Sequence, residues 1–183
     1  LATLFHKTLL LPIMAYVLTL FYNNPKTYLK GWLISIPLSV LAGGIWITLF
    51  TSLGFGDDRL AGYLSGDASK ESFSSTGFRW DFLFYSAFAV FSGWYFIFKK
   101  KFKDTFYEQI YSTYLICNAF WILVIRANFS NRFAYLSWFL MAIIIIYPFL
   151  KQRFFAHQEI VIARVVTAYF SFTFLMWLIY YAK

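Results

Sequence analysis

Few residues in this chain can do chemistry, and they are grouped. Asp57, Asp58 and Arg59 open one stretch of weak hydrophobicity, and Arg79 and Asp81 close it. A carboxylate beside an arginine can orient it or take a proton from a hydroxyl. An arginine holds phosphate oxygens through two parallel hydrogen bonds. If the flanking segments pack together, these carboxylates and guanidinium groups share one site at the membrane surface. The competing reading is a solvated loop whose charges keep it out of a bilayer. A second group is Arg126 and Arg132, on either side of Ala127–Asn131. Arg126 directly follows Val124-Ile125, so its stem starts in apolar surroundings and needs a partner, snorkelling or a polar cavity. Simple interfacial anchoring is the alternative. His6, beside Lys7, is a candidate base or phosphate donor; a lone interfacial histidine explains it equally simply.

The elements that must position these residues are membrane spans. Hydrophobic residues make up 61% of the chain and charged residues only 13%, about half the charge of a soluble domain. The charges cluster between long uncharged runs. Six runs read as spans: Thr8–Tyr22, Gly31–Leu53, Phe82–Phe98, Ile110–Ile125, Phe133–Leu150 and Ile160–Tyr181. The expectation is an all-α, polytopic helical bundle forming a single transmembrane domain over residues 1–183, with one longer extracytoplasmic loop at 54–81. That loop is long for a connector, and its stretch Gly54–Gly77 holds five glycines. Asp58–Leu64 reads as a short helix within it. The chain opens on Leu, which reads as a fragment of a longer protein.

Parity puts Asn23–Lys30, Lys99–Glu108 and Lys151–Gln158 on one face, read as cytoplasmic. That face carries seven lysines and one arginine, whereas the other carries three lysines and four arginines, Arg59, Arg79, Arg126 and Arg132. Arginines kept on the outer face suggest a task there. Arg164, inside the sixth run, reads as structural, snorkelling to headgroups or pairing within the bundle; Glu159 lies five residues before it, off the spacing of a good helical pair. The net charge of +8 belongs to topology and anionic headgroups rather than to nucleic acid. Trp32, Trp80, Trp94, Trp138 and Trp177 read mostly as an aromatic belt, and Cys117 as a small buried hydrophobe. The sequence holds no P-loop, dinucleotide fingerprint, HExxH, GxSxG or zinc spacing. No cofactor and no metal are expected, and any donor would already be in the membrane.

Several segments resemble one family. Asn118-Ala119-Phe120-Trp121, then Phe129-Ser130-Asn131-Arg132-Phe133-Ala134-Tyr135-Leu136-Ser137-Trp138, then Tyr147-Pro148 resemble the C-terminal region of EpsG-type proteins. Phe5-His6-Lys7-Thr8 and Arg79-Trp80-Asp81-Phe82-Leu83 look similar too. The likeness covers most of these residues and the later half of a typical member. It implies a Wzy-like polymerase of exopolysaccharide or capsule synthesis, multi-pass in the bacterial inner membrane. Such enzymes join oligosaccharide repeat units carried on undecaprenyl pyrophosphate. Such a reaction needs a carboxylate or histidine to take the hydroxyl proton, and the candidates are Asp58, Asp81 and His6. It also needs positive charge on the developing pyrophosphate, and the candidates for substrate binding are Arg59, Arg79, Arg126, Arg132 and Tyr135, with Arg132 on the pyrophosphate. The partners implied are the lipid-linked oligosaccharide, membrane lipids and other polysaccharide-synthesis proteins. A lipid-linked glycan ligase or acyltransferase would share the outer arginines, and a structural subunit would lack chemistry. A transporter or flippase would carry ionisable pairs at mid-bilayer, and spans two to five contain none.

Overall fold

The computed structural model describes residues 9–52, 78–126 and 131–181. These residues form helices and connecting turns, with no strand among them. In chain order the helices are α1 (Leu10–Phe21), α2 (Pro25–Ser52), α3 (Trp80–Trp94), α4 (Thr105–Leu123), α5 (Asn131–Trp138), α6 (Met141–Lys151) and α7 (Gln158–Tyr181). A π-helical turn, Tyr95–Lys99, extends α3. Four helical stretches are long and apolar enough to cross a membrane: Pro25–Trp46, Trp80–Lys99, Phe133–Lys151 and Gln158–Ile179. Each of the six expected runs therefore contains helix, and four meet the length and hydropathy of a span. The loop expected at 54–81 lies outside the described residues except for its last four, 78–81, and so does the short helix expected at Asp58–Leu64.

Two boundaries move. The second run was expected to start at Gly31, but α2 starts at Pro25. Asn24 Oδ1 accepts from the Thr27 N–H at 3.3 Å, an N-cap followed by proline at the first helical position. Lys26 and Lys30 therefore lie on the helix and not in a connection. The fourth run likewise starts earlier, at Thr105, because Asp104 Oδ1 accepts from the Tyr107 N–H at 2.8 Å.

The chain divides into two compact units, Leu1–Ile145 and Ile146–Lys183. At the centre of the first is α4. Tyr107, Tyr111, Tyr114, Asn118 and Trp121 are all buried there. Their spacing alternates four and three, which keeps one stripe of the helix facing inward. The tyrosines reach backbone carbonyls of neighbouring helices. Tyr114 Oη donates to Ser86 O at 2.8 Å and Tyr111 Oη to Val90 O at 3.0 Å. Tyr107 Oη donates to Ile144 O at 2.8 Å. Ile144 would normally accept from residue 148, which is Pro148 and has no N–H. Tyr107 thus satisfies a carbonyl that the proline leaves bare.

These contacts fix direction. Residues 114 and 111 of α4 meet 86 and 90 of α3, so the two helices run antiparallel. Residues 118 and 107 meet 137 and 144, so α5–α6 also runs antiparallel to α4. Trp32 meets Asn118 and Val40 meets Arg126, so α2 and α4 run parallel. One end of this unit therefore carries Lys26, Lys30, Lys99, Lys100, Lys101 and Lys103, and the opposite end carries Arg79, Arg126 and the start of α5 at Asn131-Arg132.

In the second unit, Gln158 closes the turn between α6 and α7. Its Oε1 accepts from the Phe154 N–H at 2.7 Å, and its Nε2 donates to Phe149 O at 2.8 Å and Gln152 O at 3.2 Å. None of the apolar window of α7 is buried.

Candidate functional site at the arginine end

Arg79 precedes α3 and Asp81 sits in its first turn. Arg79 Nε donates to Asp81 Oδ1 at 3.0 Å and Nη2 to Oδ2 at 2.8 Å, a bidentate pair. The guanidinium carbon lies 3.8 Å from the centroid of the Phe82 ring, so the cation is held on two sides. The pair is part-buried, with side-chain exposures of 18% and 29%. An acid in the first turn also complements the positive end of the helix dipole. Both carboxylate oxygens of Asp81 are engaged by Arg79. That favours a fixed polar edge, able to grip hydroxyls, over a free proton acceptor.

Phe82 leads into an aromatic cluster centred on Trp138. Phe82, Tyr85, Trp121 and Tyr135 all lie within 6 Å of it, centroid to centroid, at 5.3, 4.9, 5.9 and 5.7 Å. Tyr135 is 57% exposed and opens the cluster to the surface. The Trp121 N–H, at its base, is buried with no hydrogen-bond partner.

Beneath the cluster lies a buried polar knot. Asn118 Oδ1 accepts from Trp32 Nε1 at 2.8 Å. Asn118 Nδ2 donates to Ser86 Oγ at 3.2 Å and Ser137 Oγ at 3.0 Å. Trp138 Nε1 also donates to Ser86 Oγ, at 2.8 Å. One amide side chain ties α2, α3, α4 and α5. Asn118 has no task in the sequence alone; its signal there is an amide on the same inward stripe as three tyrosines. Trp32, expected in a belt, is buried at 5% exposure, because its indole N–H has a partner inside. Trp80 and Trp177 are exposed, as a belt requires.

Arg126 is exposed at the same end, and its Nη2 donates to Val40 O at 3.2 Å. Arg132 lies at the second position of α5, with its side chain outside the described set. The structure thus brings Arg79, Asp81 and Tyr135 onto one continuous aromatic-lined surface, and places Arg126 and the Arg132 backbone at the same end. His6, Asp57, Asp58 and Arg59 lie outside the described residues. Arg164 is exposed on α7, and Glu159 lies 3.9 Å from Arg153, with both partners largely exposed; pairs of that kind contribute little.

Helices of this length and hydropathy, tied by buried polar side chains, define a polytopic helical membrane protein. The EpsG family model matches residues 1–183, and the chain belongs to the EpsG family. It is therefore a membrane protein related to exopolysaccharide biosynthesis. Neither a curated protein nor a solved structure matches it.

Proposed function

We propose that this protein polymerises oligosaccharide repeat units carried on undecaprenyl pyrophosphate, at the outer face of the bacterial inner membrane. The observation that carries the reading is the sorting of cations: lysines at one end of the first unit, arginines at the other. The lysine end faces the cytoplasm by the positive-inside rule. The arginine end then meets lipid-linked substrates outside, where no nucleotide is at hand. On this reading the chain is one transmembrane domain of six spans, with residues 54–81 as its outer loop.

The reaction has three parts. A hydroxyl of one lipid-linked unit attacks the anomeric carbon of another chain. The bond from that carbon to the pyrophosphate oxygen breaks, and the electron pair leaves with the lipid pyrophosphate. The hydroxyl proton goes to a base. Arg132, near the N-terminus of α5, binds the leaving pyrophosphate, with Arg126 behind it in support and Arg59 a further candidate ligand; free N–H groups of a helix start favour an anion. The Arg79–Asp81 pair and Tyr135 receive sugar: polar edges for hydroxyls and a ring for the C–H face. Asp58 or His6 takes the proton, since Asp81 is engaged by Arg79.

Purified protein with the lipid-linked repeat unit, read as chain length on a gel, tests this. Arg132→Ala is expected to lose about 10- to 100-fold in rate, for a charged hydrogen bond contributing about 1.5–3 kcal/mol. Arg132→Lys keeps charge but not the fork, and is also impaired. Arg153→Ala stays near wild type. A wild-type ladder from Arg132→Ala removes the pyrophosphate role, and no chain growth from wild type removes the polymerase.

A further inference from the structure

We infer that Arg126 is a positioning residue: it holds the broken outer half of α2 against the end of α4, and so sets the direction in which residues 43–52 run. The consequence for catalysis rests on the polymerase reading; the mechanical role does not.

The α2 helix is not one rod. Pro37 lies inside it, and Ala42 leaves helical geometry, at φ −133° and ψ 27°. Proline removes one backbone hydrogen bond, and a break of this kind frees carbonyls of the preceding turn. Below the break, α2 is tied to α4 by Trp32 and Asn118, 86 residues apart. Above that tie the same 86-residue offset returns in Val40 and Arg126. The two parallel helices thus keep one register up to the kink, and Arg126 is the contact that meets it.

The fit is specific to one glycine. A Cβ on Gly43 would lie 2.9 Å from Arg126 Cδ and 3.3 Å from its Nε, whereas a Cβ on Gly44 would meet nothing within 4 Å. Gly43 is therefore the notch in which the arginine stem lies, while Gly44 has room for a side chain. Arg126 also lies three residues past the end of α4, where helix carbonyls carry partial negative charge and favour a cation. Beyond the notch, residues 43–52 continue α2 at the end of the unit that also carries Arg79. A residue that fixes the direction of this piece acts on that end of the unit through it.

The test is a double-mutant cycle with an activity readout and a distance readout. Spin labels at Leu49 and Trp80, in a Cys117→Ala background, report the outer half of α2 without any substrate. Gly43→Ala and Arg126→Ala are each expected to broaden that distance distribution, and Gly44→Ala to leave it unchanged. In polymerisation of the lipid-linked repeat unit, either change is expected to lower kcat about 10- to 100-fold with KM unchanged. The double variant matches the worse single one, because the Cβ has space once the arginine is gone. Effects that multiply, or an unchanged distance in Arg126→Ala, overturn the proposal. So does a raised KM in Arg126→Ala with Gly43→Ala at wild-type rate, which makes Arg126 a direct ligand of the pyrophosphate. If no form polymerises but the distances behave as stated, the polymerase reading fails and the positioning role stands.

Discussion

Helices α4 and α7 show opposite habits. The α7 stretch Gln158–Ile179 has a mean hydropathy of 1.7, and none of its apolar window is buried. The α4 helix carries Tyr107, Tyr111, Tyr114 and Asn118, is absent from the stretches apolar enough to span, and buries most of its length. In water the apolar helix would be the inner one. Lipid tails are as apolar as leucine, so an apolar face gains little by turning to protein. A hydroxyl or amide gains a partner there that lipid does not offer. Hydropathy therefore singles out α7 sooner than α4.

The sharpest way to break the contrast is Asn118→Leu, which makes α4 more apolar. It leaves the Trp32 N–H buried without an acceptor, at about 1–3 kcal/mol for that group alone. Recovery of monodisperse protein after heating in detergent should fall steeply. Ser171→Leu, the same kind of change on an exposed position of α7, should stay within about 0.5 kcal/mol. Equal losses from the two would end the distinction.

Next in size is Gly93→Ala. A Cβ there would run into the ring of Tyr111, and overpacking of this kind costs about 1–3 kcal/mol. The same heating assay should register it, and Tyr111→Leu should relieve part of it.

Tyr107→Phe sharpens the account of the stripe. Hydrogen bonds between membrane helices average about 0.6 kcal/mol, and this one serves the carbonyl that Pro148 leaves bare. In a Pro148→Ala background the new N–H can take over, so the loss from Tyr107→Phe should shrink. An undiminished loss means that the proline is not the reason for the bond.

The smallest effect concerns Glu108, just ahead of the fourth expected span. Burial raises its pKa, the nearby Asp104 raises it further, and Lys103 opposes both. A carboxyl raised in the folded state favours folding below its unfolded pKa, and that contribution is lost as pH rises through the folded value. Glu108→Gln should therefore gain slightly over wild type at pH 8 and not at pH 4, in melting temperatures taken across that range.

Much of this was legible in the sequence. Apolar runs located the helices, and the sites of lysine and arginine anticipated the two ends. Asn24-Pro25 and Asp104-x-x-Tyr107 were readable as helix starts, but lysines nearby drew the boundaries inward. The four-three spacing of α4 was also on the page; without a partner it reads as one more span. Other features depend on distant contacts. Nothing local says that Trp32 meets Asn118, or that Gly43 and not Gly44 must be bare. Arg79 and Asp81 are two positions apart, a spacing that no helix face brings together, and the pair forms because Arg79 lies just outside α3.

The Gln158 clamp has a consequence for how the protein is made. All its hydrogen bonds reach back nine residues or fewer. The turn between α6 and α7 is thus complete once residue 158 has emerged from the ribosome, before α7 exists. The last two described helices can then enter the bilayer as a hairpin with its corner already set.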